Sequence, residues 1–412
     1  MKPISFIIPS RNNLKYLKQA YHSIRQNCTV EHEICIADDF SDDGTMEWVL
    51  VQMKRDKNIQ FHRNKGPTRL GHTILYDTLI NEYATHDRVI IFHADMYIHP
   101  DAEKSIDKWL KPGKVVSLTR VEPPLHPNGI EKILNDFGIE PEEFDEEGFI
   151  DEFNEYPAAH TFFINGKDGD KITRGIFAPW AIYKEDFQRI GGHDPLYAPQ
   201  SKEDSDIFNR FQLAGYELIQ TWEGFVYHMT CRGSRFKDGA MRNPAGQVFM
   251  KGRESSEWLE QNLRSTRNFI RKWGHMVKHD ELMNPIIPPK YDVGFVVENC
   301  NSQMLRELEP WCSDIYGDWV GHKGIGANDY IEKEQPNTLF DLSKKIHSHH
   351  IEPTNGVVVK FDCNQLTADN FQILVNLSEI IQDSGEVGSM KLEIFELYIK
   401  SLDTYEKDLI KV

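Results

Sequence analysis

Residues Val89–Pro100 read VIIFHADMYIHP. Four β-formers, Val89, Ile90, Ile91 and Phe92, run into a short polar break centred on Asp95, and Pro100-Asp101 then opens a helix-like segment. A buried strand that ends in a carboxylate is how an open α/β sheet presents a functional group, because ligands collect outside the carboxyl ends of its strands. Standing alone, Asp95 would be read as a turn cap. The neighbouring strands change that reading.

Upstream, Pro3–Pro9 (PISFIIP) reads as a short buried strand, ended by Pro9 and the polar loop Ser10-Arg11-Asn12-Asn13. Leu14, Leu17, Tyr21 and Ile24 recur at helical spacing, which predicts an amphipathic helix laid on the sheet. Glu33–Ala37 is a second strand that ends in Asp38-Asp39, with a capping turn and a helix over Met46–Met53 behind it. Ile59–His62 is a third strand, followed by the basic loop Arg63–Gly71 and a helix around Ile74–Tyr83. Strands alternating with helices predict βαβ units and a mostly parallel sheet flanked by helices, an α/β fold. The polar strand ends Ser10-Arg11-Asn12, Asp38-Asp39 and Asp95 then share one edge. Carboxylates there can hold a ribose, a base edge and a divalent cation. Neither GxxxxGK[ST] nor GxGxxG after the first strand is present, so neither a P-loop nor a dinucleotide fingerprint is supported.

With SFIIPSRNN (Ser5–Asn13), ICIADDFSDDGT (Ile34–Thr45) and the Asp95 stretch in view, the chain resembles the family 2-like glycosyltransferases with the nucleotide-sugar-binding GT-A fold. The resemblance implies that Pro9, Ser10, Arg11, Asp38 and Asp39 hold the base and ribose of a nucleotide sugar, with Asp39 preferred over Asp38. The DxD metal motif of the family corresponds here to His93-Ala94-Asp95. His93 thus replaces the first acid, and the ribose contact that acid makes is not carried over. All three residues would border the nucleotide sugar, and Asp95 would keep the role of metal ligand.

The resemblance returns at Thr173–Leu218, where Gly191-Gly192-His193-Asp194 precedes Glu203-Asp204-Ser205-Asp206 and a helix ending near Gly215. By position in the family's ED pair, Asp204 is the catalytic base. Displacement at an anomeric carbon needs a carboxylate that takes the acceptor's proton, and a helix N-terminus helps keep one ionised. Trp180, Glu203 and Asp206 are assigned to the acceptor side. Tyr216–Thr221 and Phe225–His228 read as strands, and His228 falls where metal-dependent members carry a further ligand. Arg232, Arg235 and Lys237 follow in a loop that reads equally as a cover for the diphosphate or as solubilising surface charge.

The activity implied is transfer of a sugar, most often from a uridine diphosphate sugar, to a hydroxyl acceptor such as a glycan, with inversion and with Mn2+ or Mg2+ as cofactor. Two rivals are a non-catalytic carbohydrate-binding or scaffold protein on the same fold and a nucleotidyltransferase. The latter lacks its glycine-rich basic run after the first strand.

The remaining sequence bounds this picture. At 412 residues two or three domains are expected. The formal charge of −17 argues against a broad grip on nucleic acid or an anionic membrane, leaving room for a local basic patch. The six cysteines form no CxxC pair, and no window reaches the roughly 18–20 apolar residues of a membrane span. A soluble cytoplasmic protein with reduced thiols is expected. Residues 120–170 break the α/β pattern; Glu140–Glu155 reads as a solvated charge run and Asn165–Asp170 (NGKDGD) as a turn rather than a calcium loop. The proline-rich Asn284–Lys290 (NPIIPPK) is the best boundary. It separates a glycosyltransferase domain with a helical C-terminal extension, residues 1–283, from a small α/β domain, residues 291–412, whose sequence suggests no role. His347, His349 and His350 lack partners at ligand spacing and read as surface.

Overall fold

The computed structural model of the chain describes residues 1–154, 172–173, 176–230, 239–250, 255–319 and 326–410. The NGKDGD turn and the basic loop from Arg232 to Lys237 lie outside them. Two compact units emerge, one of Met1–Glu260 with His279–Pro285, the other of Gln261–Lys278 with Ile286–Lys411.

The first unit is built on a ten-stranded sheet. Its strands are β1 (Ile4–Ser10), β2 (His32–Asp38), β3 (Ile59–Arg63), β4 (Arg88–Ile91), β5 (Met96–Ile98), β6 (Lys114–Glu122), β7 (Lys132–Leu134), β8 (Ile172–Thr173), β9 (Trp180–Tyr183) and β10 (Glu217–His228). The main path runs β3-β2-β1-β4-β9-β6-β10-β5, with β7 beside β6 and β8 beside β10. β1 to β4 pair in parallel, as do β6 and β10. β9 is antiparallel to both β4 and β6, and β5 to β10. A hairpin of β11 (Ala240–Arg242) and β12 (Val248–Met250) completes the unit.

Ile4, Phe6, Ile7 and Ile8 are all buried, as expected where helices cover both faces of a parallel strand and alternation gives way to a continuous apolar run. Helix Leu14–Asn27 buries Leu17, Ala20, Tyr21 and Ile24, the stripe its spacing predicts. Three features depart from the sequence reading. Asp95 is followed by a strand, β5, before the helix Ala102–Trp109 begins. The two late strands are one, β10, whose register shifts between Thr221 and Phe225. The charge run contains a helix, Glu146–Asn154. Its Glu147, Asp151 and Glu152 are exposed, while Phe149 and Phe153 are buried in an aromatic cluster with Tyr97, Phe137, Phe225 and Tyr227. The solvated face was legible; the aromatic positions at i and i+4 make the other face core.

The second unit holds a six-stranded sheet of β13 (Val293–Glu298), β14 (Asp314–Gly317), β15 (Ile346–Ser348), β16 (Val357–Asp362), β17 (Gly388–Leu392) and β18 (Phe395–Ile399), ordered β15-β14-β13-β16-β18-β17. β13 to β16 are parallel and β18 returns antiparallel. Most of helix Ser256–Trp273, assigned from sequence to the first domain, belongs to this unit. Its Arg271, fully buried, donates to Glu309 and Glu334 at 2.6–3.1 Å. An unpaired guanidinium would be costly at such depth, so these two carboxylates tie the helix to its unit. His347 is held by Asp314 at 2.7 Å and stacks on Tyr316. Among the described residues no helix is long and apolar enough to cross a membrane.

Candidate active site

Parallel register sets the first edge. Ser10 lies opposite Asp38, the Asp39 N–H donates to the Ser10 carbonyl at 2.9 Å, and Arg11 donates to the Asp39 carbonyl at 3.3 Å. Pro9 is half-buried, while the Ser10 hydroxyl is buried with no hydrogen-bond partner among the described residues. Asp38 is wholly buried, accepts from the Ser41 N–H at 2.9 Å and pairs with Arg63. Asp39 accepts from Asn64 at 2.7 Å, from the Leu70 N–H at 3.0 Å and from the Gly71 N–H at 2.9 Å. Its carboxylate therefore organises the loop after β3 and the start of helix Gly71–Thr78. The structure brings all five nucleoside-side candidates together, and it shows that both acids also do structural work.

The second edge is the turn between β4 and β5. The Met96 N–H donates to the His93 carbonyl at 3.3 Å, closing the turn around Ala94 and Asp95. Antiparallel register then sets Met96 opposite His228, and the Met229 N–H donates to the Asp95 carbonyl at 3.0 Å. Backbone pairing alone thus brings residues 93–95 and 228 side by side. One ligand atom each from His93, Asp95 and His228 lie within 4.8 Å of one another, a group of metal-binding character. His228 Nε2 is 3.4 Å from Asp95 Oδ1, and its Nδ1 is 2.8 Å from Glu122 Oε1 at the end of β6.

The electrostatics follow from that packing. Burial pushes the His93 imidazole down to about 3, aided by the neighbouring charge of His228. Burial opposes ionisation of Asp95, but His228 overrides it and holds the carboxyl at about 2. His228 is itself raised to about 9, since Asp95 and Glu122 outweigh the burial that would lower it. Asp95 and Glu122 flank the His228 imidazole, and Glu122 also meets Arg120 at 3.1 Å and Lys132 at 3.7 Å, which leaves Asp95 as the carboxylate that leans on His228. The donor set of two imidazoles and a carboxylate suits manganese and is less usual for magnesium. A histidine whose other nitrogen is anchored on a carboxylate is how proteins orient a metal-binding imidazole.

The third component is the first turn of helix Glu203–Leu213, entered through Ser201 and Lys202, both in the left-handed region. Asp204 is half-buried and makes no hydrogen bond or ion pair with the described residues. Burial, reinforced by the adjacent Glu203 carboxylate, pushes it up to about 6. Glu203 is 6% exposed and is bound through Oε1 to His72 Nε2 at 2.6 Å. His72 and Arg120 act on both Asp204 and His93, and the buried Tyr76 feels Asp204, Glu203 and Asp95 together. The HAD turn and the Asp204 helix thus share the charged neighbours His72 and Arg120.

Two acceptor-side assignments do not hold. Trp180 is fully buried against Phe187, Phe208 and Phe211. Asp206, also fully buried, accepts from the Tyr197 hydroxyl at 3.2 Å and from Arg210 Nε at 2.9 Å. Both side chains point into the core, because Trp180 sits in the central strand β9 and Asp206 lies on the inward face of its helix. Conversely, Glu122, His72 and Arg120 escaped the sequence reading. Glu122 and His72 meet His228 and Glu203, partners more than 100 positions away in the chain.

A mostly parallel sheet with acids at adjacent strand ends, an HxD turn and a carboxylate-bearing late helix fits a GT-A-like fold. Residues 5–191 match the family model of glycosyl transferase family 2. No curated protein sequence matches the chain. Among solved structures, GalNAc-T7 with UDP, GalNAc and Mn2+ aligns with a TM-score of 0.43 and 14% identity over 66% of this chain and 51% of its own. The mannosyltransferase PcManGT from Pyrobaculum calidifontis, in complex with GDP-Man and Mn2+, aligns at 0.38 and 18% over 55% and 56%. S. aureus TarS in complex with UDP aligns at 0.37 and 14% over 55% and 60%. The chain thus covers 51–60% of the length of these three structures.

Proposed function

We propose that the chain is a metal-dependent glycosyltransferase that moves a sugar from a nucleotide diphosphate sugar, a UDP-sugar first among them, to an acceptor hydroxyl. The observation that carries this reading is the convergence of His93, Asp95 and His228, with a half-buried Asp204 that shares the charged neighbours His72 and Arg120, in a chain whose residues 5–191 match glycosyl transferase family 2. His93, Asp95 and His228 would hold the cation, Mn2+ or Mg2+, with Glu122 orienting His228. When bound, the cation supplies charge that offsets the nucleotide diphosphate as it leaves. Pro9, Ser10, Arg11 and the Asp38-Asp39 pair would line the nucleoside. Asp204, held near 6, is ionised at neutral pH yet basic enough to take the acceptor's proton. Attack opposite the leaving group in a single displacement would invert the anomeric centre.

The reading is tested with purified protein by thermal shift against common nucleotide sugars, with and without Mn2+. Metal-dependent stabilisation by one donor class, with slow donor hydrolysis, is expected. Absence of both would favour a non-catalytic carbohydrate-binding protein.

A further inference from the structure

The first turn of helix Glu203–Leu213 sets two carboxylates side by side, and only one of them can take the acceptor's proton. We infer that His72 is a positioning residue that decides between them: paired to Glu203, it fixes that carboxylate in the wall of the site and leaves Asp204 as the base. This inference rests on the assignment of Asp204 as base.

Three contacts place His72 for the task. Asp39 accepts the backbone N–H groups of Leu70 and Gly71, so the helix carrying His72 begins from the nucleoside edge. Gly71, at φ +77°, approaches Pro199 so closely that a Cβ would lie 2.1 Å from the Pro199 carbonyl oxygen. Arg69 Nη2 reaches Gln200 Oε1 at 2.7 Å, and the Thr73 hydroxyl reaches the Pro199 carbonyl at 3.3 Å. The start of the His72 helix and the segment leading into Glu203 are thus locked together. At the end of this path, His72 Nε2 meets Glu203 Oε1 at 2.6 Å, while Glu203 Oε2 is buried without a hydrogen-bond partner among the described residues. Among the described residues His72 is the side chain that hydrogen-bonds this carboxylate, alongside Glu203's own backbone N–H.

The groups facing this pair set the expected signs. Glu203 and Asp204 raise the His72 imidazole against burial and against Arg69. Tyr76 packs on the His72 ring, its centroid 5.9 Å away. His193, bound to Asp77 at 2.7 Å, and Arg120 lower Asp204 from their side, as does His72. Glu203 raises Asp204. Removing the His72 charge must then raise Asp204, and removing the Glu203 charge must lower it.

The test is a pH titration of the Asp204 carboxyl carbon by NMR in the full chain, with D204N identifying the resonance. H72Q should move the Asp204 midpoint up by about half a unit to one unit, E203Q should move it down, and H72Q/E203Q should fall between them. A His72 that merely braced the fold would lower thermal stability and leave the midpoint in place. An unmoved or lowered midpoint in folded H72Q, or a raised one in E203Q, overturns the inference. E203Q keeps the test decisive should H72Q fail to fold. Retention of sugar transfer by D204N would defeat the assignment of the base itself, a separate outcome.

Discussion

The β1–β2 edge and the β5–β10 edge both end in acids, yet they handle charge in opposite ways. At β1–β2, Asp38 and Asp39 are each met by several donors, among them Arg63, Asn64 and the N–H groups of Ser41, Leu70 and Gly71. At β5–β10, Asp95 and Glu122 share the His228 imidazole, with Glu122 also meeting Arg120 at 3.1 Å and Lys132 at 3.7 Å; His93 is pushed to about 3, and the Asp204 carboxylate, without a hydrogen bond or ion pair among the described residues, to about 6. Satisfied acids hold a loop in shape; acids and imidazoles with displaced pKa values mark a candidate place for chemistry. The first edge is a scaffold that can also touch a ligand. The second is the edge for which we propose a cation and a proton transfer.

This contrast gives graded expectations. The largest effect belongs to Asp204→Asn, which should lower kcat by about 10²- to 10⁴-fold while donor binding measured by calorimetry stays within a few-fold. Equal loss of donor binding would remove Asp204 from the role of base. In the unaltered protein, kcat/KM should fall about tenfold per unit as the pH drops below about 6, since the base must be ionised to act. A pH-rate profile flat from 5 to 8 would contradict this.

Next comes Asp95→Asn, expected to weaken Mn2+ binding, followed by electron paramagnetic resonance of free Mn2+, by about 100-fold or more. A smaller loss, about 10-fold, is expected for Glu122→Gln, which keeps the shape beside His228 but gives up the charge. If Glu122→Gln bound Mn2+ as tightly as the unaltered protein, Glu122 would be no more than a structural neighbour. Asp39→Asn should show the smallest functional effect and the clearest structural one. Loss of charge-assisted bonds to Asn64 and two backbone N–H groups should cost about 1–3 kcal/mol in denaturant unfolding, with Mn2+ affinity unchanged. A matching fall in Mn2+ affinity would erase the distinction between the two edges.

Much of the candidate site was legible in the sequence, because its members sit at strand ends and strands announce themselves locally. Asp38, Asp39 and Asp95 follow apolar runs, and Asp204 opens an amphipathic helix. The strand β5 was not readable: Met96–Ile98 has three residues, too few for a period, and it exists because β10 offers it a partner. Trp180 and Asp206 were misplaced for a related reason. An aromatic and an acid near a cleft motif look alike whether they face the cleft or the core, and only the register of β9 and the rotation of the helix decide.

The sequence by itself determined the alternation of strands and helices, the edge on which the acids gather and the residue types available there, because periodicity and strand termination are local properties of the chain. Tertiary structure alone decided that His228 lies opposite Met96, that Glu122 turns His228 toward Asp95 and that His72 takes Glu203. Those pairings join residues about 100 or more positions apart, and short-range forces select among such partners only once packing has brought them within a few ångströms.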